Sequence, residues 1–160
     1  MTSNVTSANV TIRIQESDFD VAQEIAALSR GRTDVGAVVS FSGICRGSDG
    51  GKTLAALTLE HYPDMAEAEI ERHAGTAMSR WPLTGLTVIH RVGRILPGEN
   101  IVLVVTASAH RQAAFEAAEF LMDYLKANAP FWKREESADG TSWVEARQHD
   151  DAAAARWTKS

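Results

Sequence analysis

The stretch from Ile101 to Glu135 constrains the fold more than any other part of the chain. Ile101-Val102-Leu103-Val104-Val105 is an unbroken apolar run rich in β-branched residues. It is too short to span a membrane and lacks the alternation of a half-exposed strand, so it reads as a strand covered on both faces. Small residues follow, Thr106 to Ala109, then His110 and Arg111. After them Ala114, Phe115, Ala118, Leu121, Met122 and Leu125 recur at spacings of three and four. That spacing predicts a helix starting near His110 with these residues as its buried stripe. It should stop before Pro130, which disfavours helical backbone at the preceding residue and has no N–H to donate. Lys126 then falls in or just after the last turn, and Phe131-Trp132-Lys133-Arg134 leaves as an aromatic and basic strand.

The charges in this stretch suggest an anionic ligand. A basic pair at a helix start adds formal charge to backbone N–H groups that already favour anions, so the His110-Arg111 end is a candidate phosphate or carboxylate site. Lys126 and Lys133 flank the turn containing Pro130 and can converge at the other end. Fifteen residues of helix separate Arg111 from Lys126, about 22 Å at about 1.5 Å per residue. One small anion cannot touch both ends of one helix. If both clusters serve one pocket, the simplest geometry is a two-fold dimer in which the His110 end of one chain meets the Lys126 end of the other. Singly, each residue has an ordinary role: solvated helix charges for Arg111 and Lys126, a backbone hydrogen bond for His110, core packing for Phe131 and Trp132. The clustering is what points to a ligand.

That clustering stands out because the chain is acidic, with a net charge of −5. Such a balance argues against bulk binding to nucleic acid or to an anionic membrane, so an anion site must be local. A length of 160 residues and 44% hydrophobic residues fit one domain with a real core. The domain is expected over residues 1–147, with 148–160 as a polar C-terminal tail. The single cysteine, Cys45, excludes an intrachain disulfide and any CxxC motif, which fits a reducing cytoplasm. The five histidines show no metal-ligand spacing, and neither a metal nor a cofactor is expected. Met1 to Ala8 lacks the features of a signal peptide, and no stretch is apolar enough for a transmembrane helix.

The remaining elements read as support. Val10–Ile14 alternates like a strand, and Phe19–Leu28 has helical spacing in Phe19, Ala22, Ile25 and Ala26. Val35–Gly43 is a strand, followed by Cys45, read as a small hydrophobe packed at the strand end, and by Arg46 at the mouth of a mobile loop, Gly47–Lys52. An arginine there can hold a phosphate with its planar fork, or stand as a solvated charge. Thr53–Tyr62 is a strand in which Glu60 and His61 point to opposite faces. Asp64 is a candidate cap for a helix burying Met65, Ala68, Ile70, Ala74 and Met78. Leu86–Val92 is a strand, and Asp139-Gly140 predicts a hairpin pairing the Lys133 strand with Ser142–Ala146. The tail from Gln148 reads as a partly ordered helix with Trp157 as its anchor. The whole is α+β: two long helices and one short one on mixed or antiparallel strands.

Leu59-Glu60-His61-Tyr62-Pro63, Val88-Ile89-His90-Arg91-Val92-Gly93, Ser108-Ala109-His110-Arg111, Phe120-Leu121-Met122-Asp123-Tyr124-Leu125-Lys126 and Ala129-Pro130-Phe131-Trp132-Lys133-Arg134-Glu135 together closely resemble the large, catalytic subunit of molybdopterin synthase, the MoaE family. The match runs in order from about Val35 to Arg147. The resemblance implies an α/β hammerhead-type fold and a homodimer at the centre of a heterotetramer. A small ubiquitin-like sulfur-carrier subunit would be bound at each end. It also implies a reaction: the carrier's C-terminal Gly-Gly thiocarboxylate delivers sulfur, twice, to cyclic pyranopterin monophosphate, giving the molybdopterin dithiolene.

Carried onto this sequence, the resemblance places Lys126 and Lys133 beside the carrier's C-terminus and the substrate as the catalytic pair. It assigns Arg46, His110 and Arg111 to the pterin phosphate, has Phe41, Met122 and Arg147 line the pocket, and counts Arg134 with the substrate-binding residues. Both ligands are anions that Lys and Arg neutralise, and the sulfur arrives on the partner, so no reactive cysteine is needed. Here Cys45 stands where an aliphatic residue is more usual, and Ile44 where a polar or basic one often is. Two other readings fit the basic cluster: a noncatalytic module docking a ubiquitin-like tail, and a phosphate-ligand sensor. Tail docking alone needs no second anion site, so His110-Arg111 together with both lysines separates them.

Overall fold

The computed structural model describes residues 3–7, 9–128, 130–144 and 148–158. In chain order the elements are β1 (Ser3–Ser7), β2 (Val10–Gln15), α1 (Val21–Ser29), β3 (Ala37–Ile44), β4 (Ser48–Asp49), β5 (Lys52–His61), α2 (Pro63–Arg80), β6 (Leu83–Arg91), β7 (Gly93–Ile95), β8 (Asn100–Ser108), α3 (Arg111–Ala127), β9 (Phe131–Ser137), β10 (Gly140–Val144) and α4 (Gln148–Ala155), followed by a 3-10 turn, Arg156–Thr158.

The strands form two sheets. The first has the order β1-β2-β6-β8-β3, antiparallel except where β2 runs parallel to β6. The second has the order β10-β9-β5-β4, with β7 also paired to β5, all antiparallel. This is the mixed α+β architecture expected of the hammerhead-type fold.

β8 is covered on both faces, as its unbroken apolar run requires. Val102 and Val104 pack into a layer with Ile12, Ile14, Leu86 and Val88 beneath α2 and α3. Leu103, Val105 and Ala107 face the other way, toward Leu28 and the partly buried residues around α1. At about 1.5–3 kcal/mol for each fully buried Val or Leu side chain, β8 contributes heavily to the stability of the first sheet. A third cluster, Cys45, Leu57, Leu59 and Ile95 with Ile101 and Phe131 against it, joins the second sheet to the first.

Several local expectations need correcting. α2 begins at Pro63, whose fixed φ and missing N–H suit the first helical position, with Tyr62 as N-cap; Asp64 lies in the first turn, where it favours the dipole without capping. Its buried side is Ala66, Ile70, His73, Ala74 and Ala77, so Met65 and Ala68 face outward. In α3, Ala114, Ala118, Leu121 and Leu125 are buried, but Phe115 is 60% exposed and Phe120 takes the core position. The Gly47–Lys52 segment contains a tight hairpin. Asp49 pairs with Lys52, and Gly50 and Gly51 both adopt positive φ, 58 and 82°, the signature of a two-residue primed turn.

The ends of the chain also carry elements, the tail as the helix expected from Gln148 onward. β1 adds a strand to the edge of β2. A fourth helix, α4, lies against α3, and Trp157 anchors the segment after it. Its indole N–H donates to Asp123 Oδ2 at 2.6 Å, and its ring meets Trp81 and Phe120 edge-on.

Candidate functional site

The start of α3 is built to expose cation and backbone donors. Ser108 is buried at the end of β8; its hydroxyl donates to the Pro82 carbonyl at 2.9 Å and accepts from the His110 N–H at 3.5 Å. His110 is the N-cap, in extended conformation, and its side chain makes no capping bond. Its imidazole and the Arg111 guanidinium are both exposed, and no acidic residue in the first turn offsets the helix dipole. Gly36 packs directly against this turn: a Cβ there would lie 2.2 Å from the Ala109 carbonyl oxygen. The β3 end and the helix start therefore meet with no space between them.

The other end of α3 carries the lysines. Lys126 sits in the last turn, and its charge acts on the imidazole of His90. His90 stacks on Phe131, the first residue of β9, with ring centroids 4.0 Å apart and planes 15° from parallel. Two residues on, Lys133 pairs with Leu59 across the ladder and lies on the same face as Phe131. There it bears on the buried Cys45 thiol, whose pKa burial raises and the nearby ammonium draws back down. Glu135, next on that face, opposes Leu57 and also acts on the thiol.

Arg46 follows Cys45, whose backbone is tied at both groups: its N–H donates to the Glu99 carbonyl at 2.9 Å and its carbonyl accepts from the Gly98 N–H at 2.7 Å. The Arg46 side chain is 70% exposed, with a long contact to Asp49 at 3.8 Å. Arg46, Lys126 and Lys133 thus gather around one end of the molecule. His110 and Arg111 stand at the other, about 22 Å along the helix at about 1.5 Å per residue.

Between the two ends runs a half-open face. Phe41 lies on β3, the free edge of the first sheet, over Gly43, where an added Cβ would collide with Val102 Cγ1 at 2.6 Å. On α3, Arg111, Phe115, Met122 and Lys126 recur at helical spacing along one stripe. Met122 is half-buried against the core, whereas Phe41, Ile44 and Phe115 are exposed.

One expected member stands apart. Alternation along β9 sends Arg134 to the face opposite Lys133, where it contacts Glu60 at 3.6 Å and lies over Trp143. There it lines a shallow groove of about 330 Å³ with Thr58, Arg94, Glu136 and Thr141. Arg147 lies outside the described residues. Conversely, His90 and His61 adjoin the lysine end although the sequence reading gave them no role there; the period-two pattern that pairs Phe131 with His61 and Lys133 with Leu59 is the signal that leads to them. Among the described residues, no cluster of three His, Cys, Asp or Glu side chains is placed to hold a metal ion, and no helix is long and apolar enough to cross a membrane.

Comparison with known proteins gives this arrangement its relatives. Residues 14–128 match the family described as MoaE protein. The chain is 69% identical over 152 residues to the molybdopterin synthase catalytic subunit of Mesorhizobium japonicum, covering 94% of each chain. It is 49% identical over 150 residues to that of Escherichia coli, covering 94% of this chain and 99% of the other. Among solved structures, the MoaE protein from Burkholderia ambifaria superposes with a TM-score of 0.78 at 46% identity, over 95% of this chain and 99% of that one. Molybdopterin synthase from Staphylococcus aureus gives 0.77 at 29% identity, over 82% and 95%. With the family match spanning the core from β2 to the end of α3, and near-full-length relatives at high identity, the chain belongs to the MoaE family.

Proposed function

We propose that this chain is the sulfur-transferring subunit of a molybdopterin synthase. A small ubiquitin-like carrier subunit brings sulfur as a C-terminal Gly-Gly thiocarboxylate, and cyclic pyranopterin monophosphate accepts it twice to become the dithiolene. The observation that supports this most is the pairing of two cationic ends on one helix: Lys126 with Lys133 at one, His110 with Arg111 at the other. A tail-docking module would need only the first.

In this reading Lys126 positions the thiocarboxylate, and Lys133 stabilises negative charge that develops as sulfur bonds to the pterin, or transfers a proton there. Lys133 suits that role because it is half-buried, where electrostatic interactions are stronger than in water. Arg46, His110 and Arg111 hold the phosphate, with Phe41 and Met122 along the pocket. The ends are too far apart to serve one ligand within a chain, so the working site is shared by a homodimer inside a heterotetramer. The exposed Phe41, Ile44 and Phe115 along the free β3 edge and the α3 stripe are apolar surface of the kind a second copy covers. A single buried cysteine suits a cytoplasmic protein.

The test is a purified reconstitution with thiocarboxylated carrier and pterin substrate. Lys126→Ala should abolish dithiolene formation with the fold intact. Near-normal product from that variant would refute the assigned role, and carrier binding without any product from the unaltered chain would favour the docking module.

A further inference from the structure

The two lysines sit on different elements, and the chain passes between those elements twice. The first passage is the turn from α3 to β9. The second is the C-terminal segment: it follows β10, whose last residue, Val144, lies opposite Lys133 in the ladder, and it resumes as α4 at Gln148. α4 lies against α3 with Ala154 buried. The tail thus leaves the second sheet beside Lys133 and comes to rest on the helix that carries Lys126.

Where it rests, the contacts are short and numerous. The Trp157 indole N–H donates to Asp123 Oδ2 at 2.6 Å, and Arg156 Nη2 donates to the same oxygen at 2.9 Å while meeting Glu119 Oε1 at 2.6 Å. The Trp157 ring stands edge-on to Trp81 and Phe120, with centroids 5.7 and 5.6 Å away. Arg80, the last residue of α2, donates from Nη1 to the Trp157 carbonyl at 2.9 Å, and its guanidinium carbon lies within 6 Å of the Trp81, Phe120 and Trp157 ring centroids.

These contacts answer a defect in α3. Glu119 and Asp123 are four residues apart on the helix, a spacing at which like charges repel, and Asp123 stands close to the helix end that disfavours negative charge. Its carboxylate is only 16% exposed, so water alone cannot offset that cost. Arg156 and Trp157 supply the missing donors. Asp123 is one turn before Lys126, and the helix closes just beyond with the Asn128 N–H on the Tyr124 carbonyl at 2.8 Å.

We propose that the C-terminal segment is a brace for the lysine end of the site, with Trp157 and Arg156 as positioning residues that act through Asp123 to hold the last turn of α3. Its catalytic consequence rests on the sulfur-transfer reading above. The brace fixes where α3 presents Lys126 relative to the strand that bears Lys133.

The test uses full-length variants that spare the core. Trp157→Phe keeps an aromatic ring and loses the N–H donor, and Arg156→Ala leaves the two carboxylates facing each other. One arm follows amide hydrogen exchange by NMR. In both variants the amides from Tyr124 to Asn128 should exchange at least about tenfold faster, while those of Val102–Val105 in β8 keep their rates. The other arm is the reconstituted reaction, in which kcat should fall at least about tenfold and KM for the pterin, whose phosphate is held at the other end of the helix, should change less than about twofold. Adding Glu119→Gln to Arg156→Ala removes the repulsion and should restore most of both. Exchange that rises equally in β8 and α3, an unchanged kcat in a variant whose last turn has loosened, or no rescue by Glu119→Gln would overturn the proposal. If the unaltered chain makes no dithiolene, the sulfur-transfer reading fails instead, and the exchange arm still decides whether the tail holds the helix end.

Discussion

His90 and Phe131 lie face to face, 4.0 Å between ring centroids, although one ends a strand of the first sheet and the other begins a strand of the second. This contact pins the segment between Lys126 and Lys133 to the core. Phe131 also packs against both the main cluster and the Cys45 cluster. Phe131→Ala should therefore lower stability by about 2–4 kcal/mol, toward the lower part of the range for large-to-small core changes because the ring is only half-buried. Urea denaturation checks it; a loss under about 1 kcal/mol would show that the stack does not hold the two sheets together.

The buried imidazole also sets a pH dependence. His90 has a folded-state pKa of about 4 against an ordinary 6.5. The unfolded chain then binds a proton through this window that the folded chain does not, so the contribution is full above about 6.5 and is lost as pH falls toward 4. His61 and His73 are shifted down by burial too and act in the same direction. Unfolding free energy of the unaltered protein should fall between about pH 6.5 and 4 by about 3 kcal/mol more than that of His90→Phe. Parallel curves would contradict this.

Gly36 tests how tightly the anion end is placed. A Cβ 2.2 Å from the Ala109 carbonyl oxygen must push backbone, so Gly36→Ala should displace the His110 turn. We expect KM for the pterin substrate to rise at least about tenfold in the reconstituted reaction, with carrier binding little changed. An unaffected pterin KM in a folded variant would separate the turn from the substrate.

Gly75 gives the opposite expectation. It lies within α2, exposed, and a Cβ there meets nothing within 4 Å. Gly75→Ala should stabilise the protein by about 0.5–1 kcal/mol through reduced freedom of the unfolded chain and better helix propensity, with activity unchanged. Thermal denaturation reads the result.

Most of the fold was legible because β8 and α3 carry their periodicities plainly: Val102–Val105 and the Ala114, Ala118, Leu121, Leu125 stripe are buried where the spacing put them. The misplacements have local causes. Phe115 and Phe120 are equally apolar, and only packing against Trp81, Tyr124 and Trp157 decides that Phe120 goes inside. Pro63 overrode Asp64 as the signal for the α2 start, and the Gly50-Gly51 pair is a hairpin turn as well as a loop composition. For the site, strand alternation already separates Arg134 from Lys133, and treating the basic run as one cluster ignored it. The stacking of His90 on Phe131 crosses between sheets, and no spacing within one segment encodes such a contact.

The claim on which the rest depends is that each working site takes its phosphate end from one chain and its lysine end from another. Mixing a His110→Ala/Arg111→Ala chain with a Lys126→Ala chain, each inactive alone, tests it directly in the reconstituted reaction. If subunits exchange freely, half the dimers are mixed and each holds one intact site, so activity should recover to about a quarter of the unaltered level. No recovery, with mixed dimers shown to form, would mean that both ends must belong to the same chain.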